Sequence, residues 1–68
     1  MSIVEFPDAS ILASEIVCIY FTLCKDNTGF DINADIKTGK TIRLSWVYEQ
    51  MEPRDLILEY TCLWRNAL

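Results

Sequence analysis

The sequence predicts a small α+β fold: an antiparallel β-meander of three strands, or of four, with a C-terminal amphipathic helix packed on one face. Polar and apolar residues alternate over residues 30–37 and 41–46, and a Thr-Gly pair lies between the two runs. This alternation is typical of two half-buried strands joined as a hairpin. After Val47 the apolar residues take the spacing of a helix. The chain has 68 residues, and we expect residues 1–68 to form a single domain.

The N-terminal part of the chain predicts a strand followed by a helical turn. Residues 1–7 contain three large apolar side chains, and Pro7 ends this run, as in a short edge strand. Asp8 is a suitable N-cap residue, so residues 9–15 are expected to form one or two turns of helix.

Residues 16–24 predict a further strand, because most of them are β-branched or aromatic. A buried helix shows the same apolar pattern over this length, and an alternative in which residues 8–24 form one helix gives the order α-β-β-α. The strand is expected to turn at residues 25–29 and to pair with the hairpin. The side chains predicted to face the core are Val17, Ile19, Phe21 and Leu23.

The opposite face of this strand is a first candidate surface. It would carry Cys18, Tyr20, Thr22 and Cys24. Two thiols and a tyrosine are unusually apolar for the solvent side of a sheet, which favours dimerisation or association along the strand edge. The alternative is that the N-terminal segment or a helix covers this face.

The register of the hairpin follows from the need to place both apolar sets on one face. A type I turn at residues 36–39, with Gly39 supplying the positive φ of a G1 bulge, pairs Ile36 with Lys40. A two-residue turn would instead place Ala34 opposite Arg43, on conflicting faces. The facing pairs predicted by the first register are Asp35 with Thr41, Ala34 with Ile42, Asn33 with Arg43, Ile32 with Leu44, and Phe30 with Trp46.

The C-terminal residues predict a helix. Pro53 suits its first position, Asp55 its first turn and Arg65 its last turn. Apolar residues share one side of the helix, and they are Leu56, Ile57, Tyr60, Leu63, Trp64, Ala67 and Leu68. They are expected to pack on Phe30, Ile32, Leu44 and Trp46. Burial of the two tryptophans is expected to contribute most, about 3 kcal/mol each.

The other side of this helix is a second candidate surface. Leu58 and Cys62 lie four residues apart, and the acidic residues around them are Glu52, Asp55 and Glu59. An apolar centre with a charged margin is typical of a protein-binding surface. The alternative is an ordinary solvated helix face with one exposed leucine. The acidic margin also raises the alternative of a nucleic-acid mimic that blocks a nucleic-acid-binding enzyme.

Composition predicts association with other proteins. Hydrophobic residues make up 51% of a chain too short to bury a large core, so some apolar surface is expected at an interface, either in a homo-oligomer or with an obligate partner. The net charge of −4 argues against nucleic acid as a partner and favours a protein with a basic surface.

The cysteines and the N-terminal residues predict a soluble cytoplasmic protein. Three cysteines cannot all pair within one chain, and free thiols are typical of a reducing compartment. Glu5, Pro7 and Asp8 lie where an export signal needs a basic start and an apolar run. The longest uncharged apolar stretch, residues 16–24, is about half of what a membrane-spanning helix requires, so no membrane association is expected.

The residue types do not predict an enzyme. Histidine, the commonest general base and metal ligand, is missing from the sequence. No CxxC motif, phosphate-binding glycine loop or calcium-binding loop occurs. We therefore predict no catalytic residue, no cofactor and no metal ion.

Function is predicted only as a class. The chain is very short and acidic, contains cysteines and lacks evident catalytic residues. In this composition it is similar to accessory proteins of phages and other mobile elements that inhibit host machinery by binding it. This resemblance implies a non-enzymatic protein-binding module, such as a small inhibitor. The alternative is a structural homodimeric subunit with no ligand of its own.

Overall fold

The computed structural model describes residues 2–25, 28–48 and 50–68. It confirms the α+β class and the C-terminal helix packed on one face of a meander, with five strands among the described residues rather than three or four. The strands form two antiparallel sheets, β1 with β2 and β3 with β4 and β5. The elements are β1 (Ile3–Phe6), β2 (Ala9–Leu12), a 3-10 turn (Ala13–Glu15), β3 (Ile16–Leu23), β4 (Gly29–Ile36), β5 (Thr41–Tyr48) and α1 (Pro53–Ala67).

The N-terminal segment is a β-hairpin, and the helical turns predicted for residues 9–15 are wrong except for the short 3-10 turn. β1 pairs with β2, with Val4 opposite Ile11 and Phe6 opposite Ala9. Pro7 and Asp8 form the tight turn between them, a role that suits these residues as well as helix capping does. The alternative of one helix over residues 8–24 is therefore also wrong.

β3 pairs with β4 on the predicted faces along most of its length. Ile19 lies opposite Ala34 and Phe21 opposite Ile32, so these side chains share the face of the core. An irregularity between Ile16 and Cys18 changes the start of the strand. Ile16 is buried there and Val17, predicted to face the core, is 55% exposed; at the other end of the strand Leu23 lies on the predicted face, opposite Phe30, but is 58% exposed. Two residues of the predicted turn at 25–29, at positions 26 and 27, lie outside the described residues.

The turn of the β4–β5 hairpin is confirmed. The Gly39 N–H donates to the Ile36 carbonyl at 2.9 Å, the Ile36 N–H donates to the Lys40 carbonyl at 3.0 Å, and Gly39 has a φ of 91°. The three predicted pairs nearest the turn are also confirmed, namely Asp35 with Thr41, Ala34 with Ile42 and Asn33 with Arg43.

Beyond these pairs the predicted register is wrong by one residue, because a β-bulge lies at Leu44. Ile32 faces Ser45 rather than Leu44, and Phe30 faces Val47 rather than Trp46. Ser45 and Val47 are consequently buried, at 5% and 2% exposure, and Leu44 keeps its predicted place in the core at 0%. A bulge puts one extra residue on one strand and reverses the faces of all residues after it.

Remote contacts explain why the bulge is stable. The Asp8 N–H from the β1–β2 turn donates to the Leu44 carbonyl at 2.9 Å. The Tyr60 hydroxyl of α1 donates to Ser45 Oγ at 2.9 Å, which gives this buried serine a hydrogen-bond partner.

Gly29 leaves room for the indole ring of Trp46. A Cβ at position 29 would lie 2.9 Å from Trp46 Nε1 and would collide with the Val47 carbonyl oxygen.

The helix begins and ends as predicted, and part of its predicted apolar side is exposed. Pro53 is in the first turn, and Trp64 Nε1 donates to the Ala13 carbonyl at 2.9 Å. Leu63 and Leu68, predicted to pack on the sheet, are 44% and 72% exposed, and Leu68 follows the last residue of the helix.

The core lies on one face of the three-stranded sheet. The helix and the N-terminal hairpin both pack on this covered face, where Phe6 and Tyr60 make an edge-to-face contact with ring centroids 5.1 Å apart. The buried core side chains are Val4, Phe6, Ile11, Ala13, Ile16, Ile32, Ala34, Leu44, Val47 and Tyr60. Within the described part of the chain, no helix is long and apolar enough to cross a membrane.

Candidate protein-binding surfaces

The second face of the three-stranded sheet, here called the open face, is covered by neither the helix nor the N-terminal hairpin. Alternation along the strands places on it Cys18, Tyr20 and Thr22 of β3, Asp31, Asn33 and Asp35 of β4, and Thr41, Arg43, Trp46 and Tyr48 of β5. Side-chain hydrogen bonds hold its centre and aromatic rings form one end.

A carboxylate organises the end of the open face next to the hairpin turn. Asp35 Oδ1 accepts hydrogen bonds from the Thr41 hydroxyl at 2.8 Å and from the Tyr20 hydroxyl at 3.0 Å, and the Cys18 thiol lies 3.7 Å from Oδ2. The bond from Thr41, then that from Tyr20, lowers the pKa of Asp35 below its usual value of 3.8, and these bonds outweigh the opposing effect of desolvation. Asp35 is therefore ionised at neutral pH, and its hydrogen bonds hold the carboxylate in position.

A second set of polar contacts crosses the middle of the open face. Asn33 Nδ2 donates to Thr22 Oγ1 at 2.9 Å and joins β3 to β4. Arg43 lies 3.8 Å from Asp31 and 3.5 Å from Asp8 of the β1–β2 turn. These contacts hold the charged side chains in place, although exposed ion pairs of this kind contribute only about 0–1 kcal/mol.

Trp46 and Tyr48 form the aromatic end of the open face. Their ring centroids are 4.5 Å apart with an edge-on orientation, and their exposures are 40% and 59%. Trp46 was predicted to lie in the core, and the bulge at Leu44 moves it to this face together with Tyr48. Wide aromatic side chains on a rigid sheet lose little conformational entropy when a partner covers them.

Three of the four residues predicted for a dimer or edge surface lie on the same face of the sheet as Trp46 and Tyr48. Cys18, Tyr20 and Thr22 lie on the open face, and Cys24 follows directly after β3. Sequence reasoning missed Trp46 and Tyr48, because strict alternation places Trp46 in the core. Val47 could have indicated the change of face, because a β-branched apolar residue between two aromatic residues is itself suited to burial.

The predicted helix surface lies on the far side of the molecule from the open face. Leu58 is 66% exposed, and Cys62, Asp55 and Glu59 are exposed with it. Glu52 also stabilises the helix, because its carboxylate accepts a hydrogen bond from the Arg54 N–H at 3.3 Å and caps the helix N-terminus. The helix patch, defined as Glu52, Asp55, Leu58, Glu59 and Cys62, thus has an apolar centre and an acidic margin.

Comparison of the chain with protein-family models, with curated proteins and with solved structures gave no match.

Proposed function

We propose that this chain is a non-enzymatic protein-binding module and that its open face carries the contact. The exposed aromatic pair of Trp46 and Tyr48, beside Arg43 on a rigid sheet, supports the proposal most strongly. Tryptophan, tyrosine and arginine are the residues most enriched among those that dominate binding energy at interfaces.

Charge gives the chemistry of the partner. The chain has a net charge of −4, and the open face carries Asp35, whose pKa is lowered, and Asp31, which lies 3.8 Å from Arg43. A protein surface with an apolar patch for the two rings and lysine or arginine side chains for the carboxylates is complementary to it. Within this class, the similarity in composition to phage and mobile-element proteins favours a small inhibitor or accessory protein of the cytoplasm.

Site-specific photo-crosslinking tests the proposal. A photo-reactive phenylalanine derivative replaces Tyr48 on the open face and, in a matched chain, Leu58 on the helix patch; both side chains are exposed, at 59% and 66%. Covalent capture of one protein from Tyr48 but not from Leu58 supports the open face. Capture from neither position, or equally from both, contradicts it.

The affinity of the captured protein for variants then gives the energy of the contact. Trp46→Ala is expected to weaken binding about 30-fold, which corresponds to a loss of about 2 kcal/mol. The control is Leu58→Ala, which is expected to change the affinity less than about twofold. Unchanged affinity for Trp46→Ala in a folded protein would refute the assignment.

The helix patch is a second candidate, favoured by the exposure of Leu58 beside Asp55 and Glu59. It predicts the reverse result, with crosslinking from position 58 and loss of binding for Leu58→Arg. The two surfaces lie on opposite sides of the sheet, so a single pair of variants distinguishes them.

A further inference from the structure

β3 and β5 form the two edges of the three-stranded sheet, and within residues 2–25, 28–48 and 50–68 only the β5 edge is protected. At β5 the Asp8 N–H donates to the Leu44 carbonyl, the strand is bulged at this point, and Arg43 places a charge there. On the β3 side, no backbone hydrogen bond found among the described residues involves the outer edge over residues 17–23. An unprotected edge is a template for another strand.

Alternation defines which backbone groups lie on this edge. The Cys24 N–H donates to the Gly29 carbonyl at 2.9 Å, so the backbone of Cys24 points towards β4. In an antiparallel strand the backbone groups of successive residues point to opposite sides. The N–H and C=O groups of Ile19, Phe21 and Leu23 therefore point outwards.

The sequence of β3 suits pairing with itself. None of its eight residues, IVCIYFTL, is charged, although natural edge strands are commonly blocked by lysine or other charges. Phe21 and Leu23, which flank the edge, are 36% and 58% exposed. Glu15 precedes the strand and Lys25 follows it, so antiparallel pairing of two copies brings each of these charges towards its opposite.

We propose that β3 pairs antiparallel with β3 of a second copy, about a two-fold axis at Phe21, to form one continuous sheet. In this register Phe21 faces Phe21 of the second copy and Ile19 faces Leu23, and each of these facing pairs exchanges two backbone hydrogen bonds. Every outward group of the three residues is satisfied, and the exposed Phe21 and Leu23 side chains are covered.

A second copy fits this edge better than an unrelated strand because the register is self-complementary. Apolar residues meet apolar residues on one face, and Tyr20 meets Thr22 of the second copy on the other. The arrangement is isologous, as in most homodimers. The inference goes beyond the proposed function and is independent of it: the two open faces would lie side by side on the same side of the joined sheet.

Disulfide formation between two copies can test this register. Cys18 of one copy faces Cys24 of the other in a pair without backbone hydrogen bonds, where the Cα atoms are about 4.5 Å apart. This distance lies within the range of disulfides. Within one chain Cys18 lies near the start of β3 and Cys24 follows directly after its end, so the two cysteines are too far apart to be joined. Cys62 lies on the helix and has no role in this pair.

The first test measures mass in solution by light scattering from micromolar to millimolar concentration, under reducing conditions. The proposal expects twice the chain mass, falling to one chain mass on dilution. Leu23→Lys places a charge on the edge and is expected to raise the dissociation constant at least about tenfold. Leu58→Lys makes the same change on the helix, at 66% exposure, and is expected to leave dimerisation unchanged. A monomer at every concentration overturns the proposal.

The second test maps the register and does not depend on how well the Leu23→Lys variant folds. Diamide oxidises facing thiols to a disulfide and takes up the two electrons and two protons that they release. The proposal expects a covalent dimer for the unchanged chain and for Cys62→Ser, and none for Cys18→Ser or Cys24→Ser. Crosslinking that survives either of the last two substitutions, or that needs Cys62, overturns the proposed register.

Discussion

The two faces of the three-stranded sheet are built from the same strands but are held together by different forces. On the covered face Ile32, Ala34 and Leu44 are completely buried, so burial of apolar area stabilises it. On the open face Asn33 and Asp35 hold the strands through side-chain hydrogen bonds to Thr22, Tyr20 and Thr41. Apolar burial therefore stabilises the covered face, whereas polar bonds hold the open face and leave its aromatic side chains exposed, as the proposed contact requires.

Because of the bulge at Leu44, β5 contributes apolar side chains to the covered face and aromatic side chains to the open face. Leu44 stays in the core, Val47 enters it, and Trp46 and Tyr48 move to the open face. A regular strand would have placed Trp46 on the covered face, with Val47 exposed.

Substitution of Leu44 by alanine tests the difference between the faces most severely. Leu44 is 0% exposed, and we expect Leu44→Ala to lower the free energy of unfolding by about 2–5 kcal/mol through lost burial and a cavity. Urea denaturation followed by circular dichroism measures this loss. Trp46→Ala, two residues away on the open face, is expected to cost about 1 kcal/mol, and an equal loss for both variants would contradict the assignment of the faces.

Substitution of Gly29 by alanine tests how the aromatic end is seated. The new Cβ would meet the Val47 carbonyl and the indole of Trp46, and such overpacking is expected to cost about 1–3 kcal/mol. In a Trp64→Phe background the fluorescence of Trp46 should shift to longer wavelength as the ring is displaced into water. An unchanged spectrum would show that Trp46 does not rest on Gly29.

Removing one tyrosine hydroxyl from each face compares what a buried and a partly buried hydrogen bond contribute to stability. Tyr60→Phe leaves the Ser45 hydroxyl, 5% exposed, without its partner, and is expected to cost about 1–3 kcal/mol in urea denaturation. Tyr20→Phe removes the same group from the open face, where water replaces the bond to Asp35, and should cost clearly less. The double variant Tyr60→Phe/Ser45→Ala should recover part of the loss, because neither partner is then left unpaired.

The smallest expected effect is a pH dependence from Asp35. Because folding lowers the pKa of this carboxyl below 3.8, its contribution is fully present above that value and is lost as the pH falls through the folded pKa. The difference in urea midpoint between the unchanged chain and Asp35→Asn should therefore be constant near neutral pH and shrink in acid. A difference that persists at the lowest pH at which the protein folds would exclude Asp35 as the cause.

Titration of Asp35 by NMR supplies the control. In Thr41→Val, which removes the hydrogen bond with the largest effect, the pKa of Asp35 should rise towards its usual value. An unchanged pKa would mean that the Thr41 hydroxyl does not stabilise the carboxylate.

The parts of the fold that depend on neighbouring residues can be predicted from the sequence alone. The Gly39 turn and the three pairs next to it follow from local alternation and from the positive φ that glycine accepts. The start of the helix at Pro53 follows from the proline and from the change in apolar spacing after Val47. The exposed position of Leu58 and Cys62 follows from the same helical period.

The open face depends on contacts between residues that are remote in the chain. The bulge at Leu44 depends on Asp8 and Tyr60, which are remote in the chain and donate to the Leu44 carbonyl and to the Ser45 hydroxyl. The Pro7 and Asp8 pair is compatible with a helix start and with a hairpin turn, and pairing of β1 with β2 made the choice. A local pattern assigns residues to faces only while the register is regular, and contacts across the fold determine where that register changes.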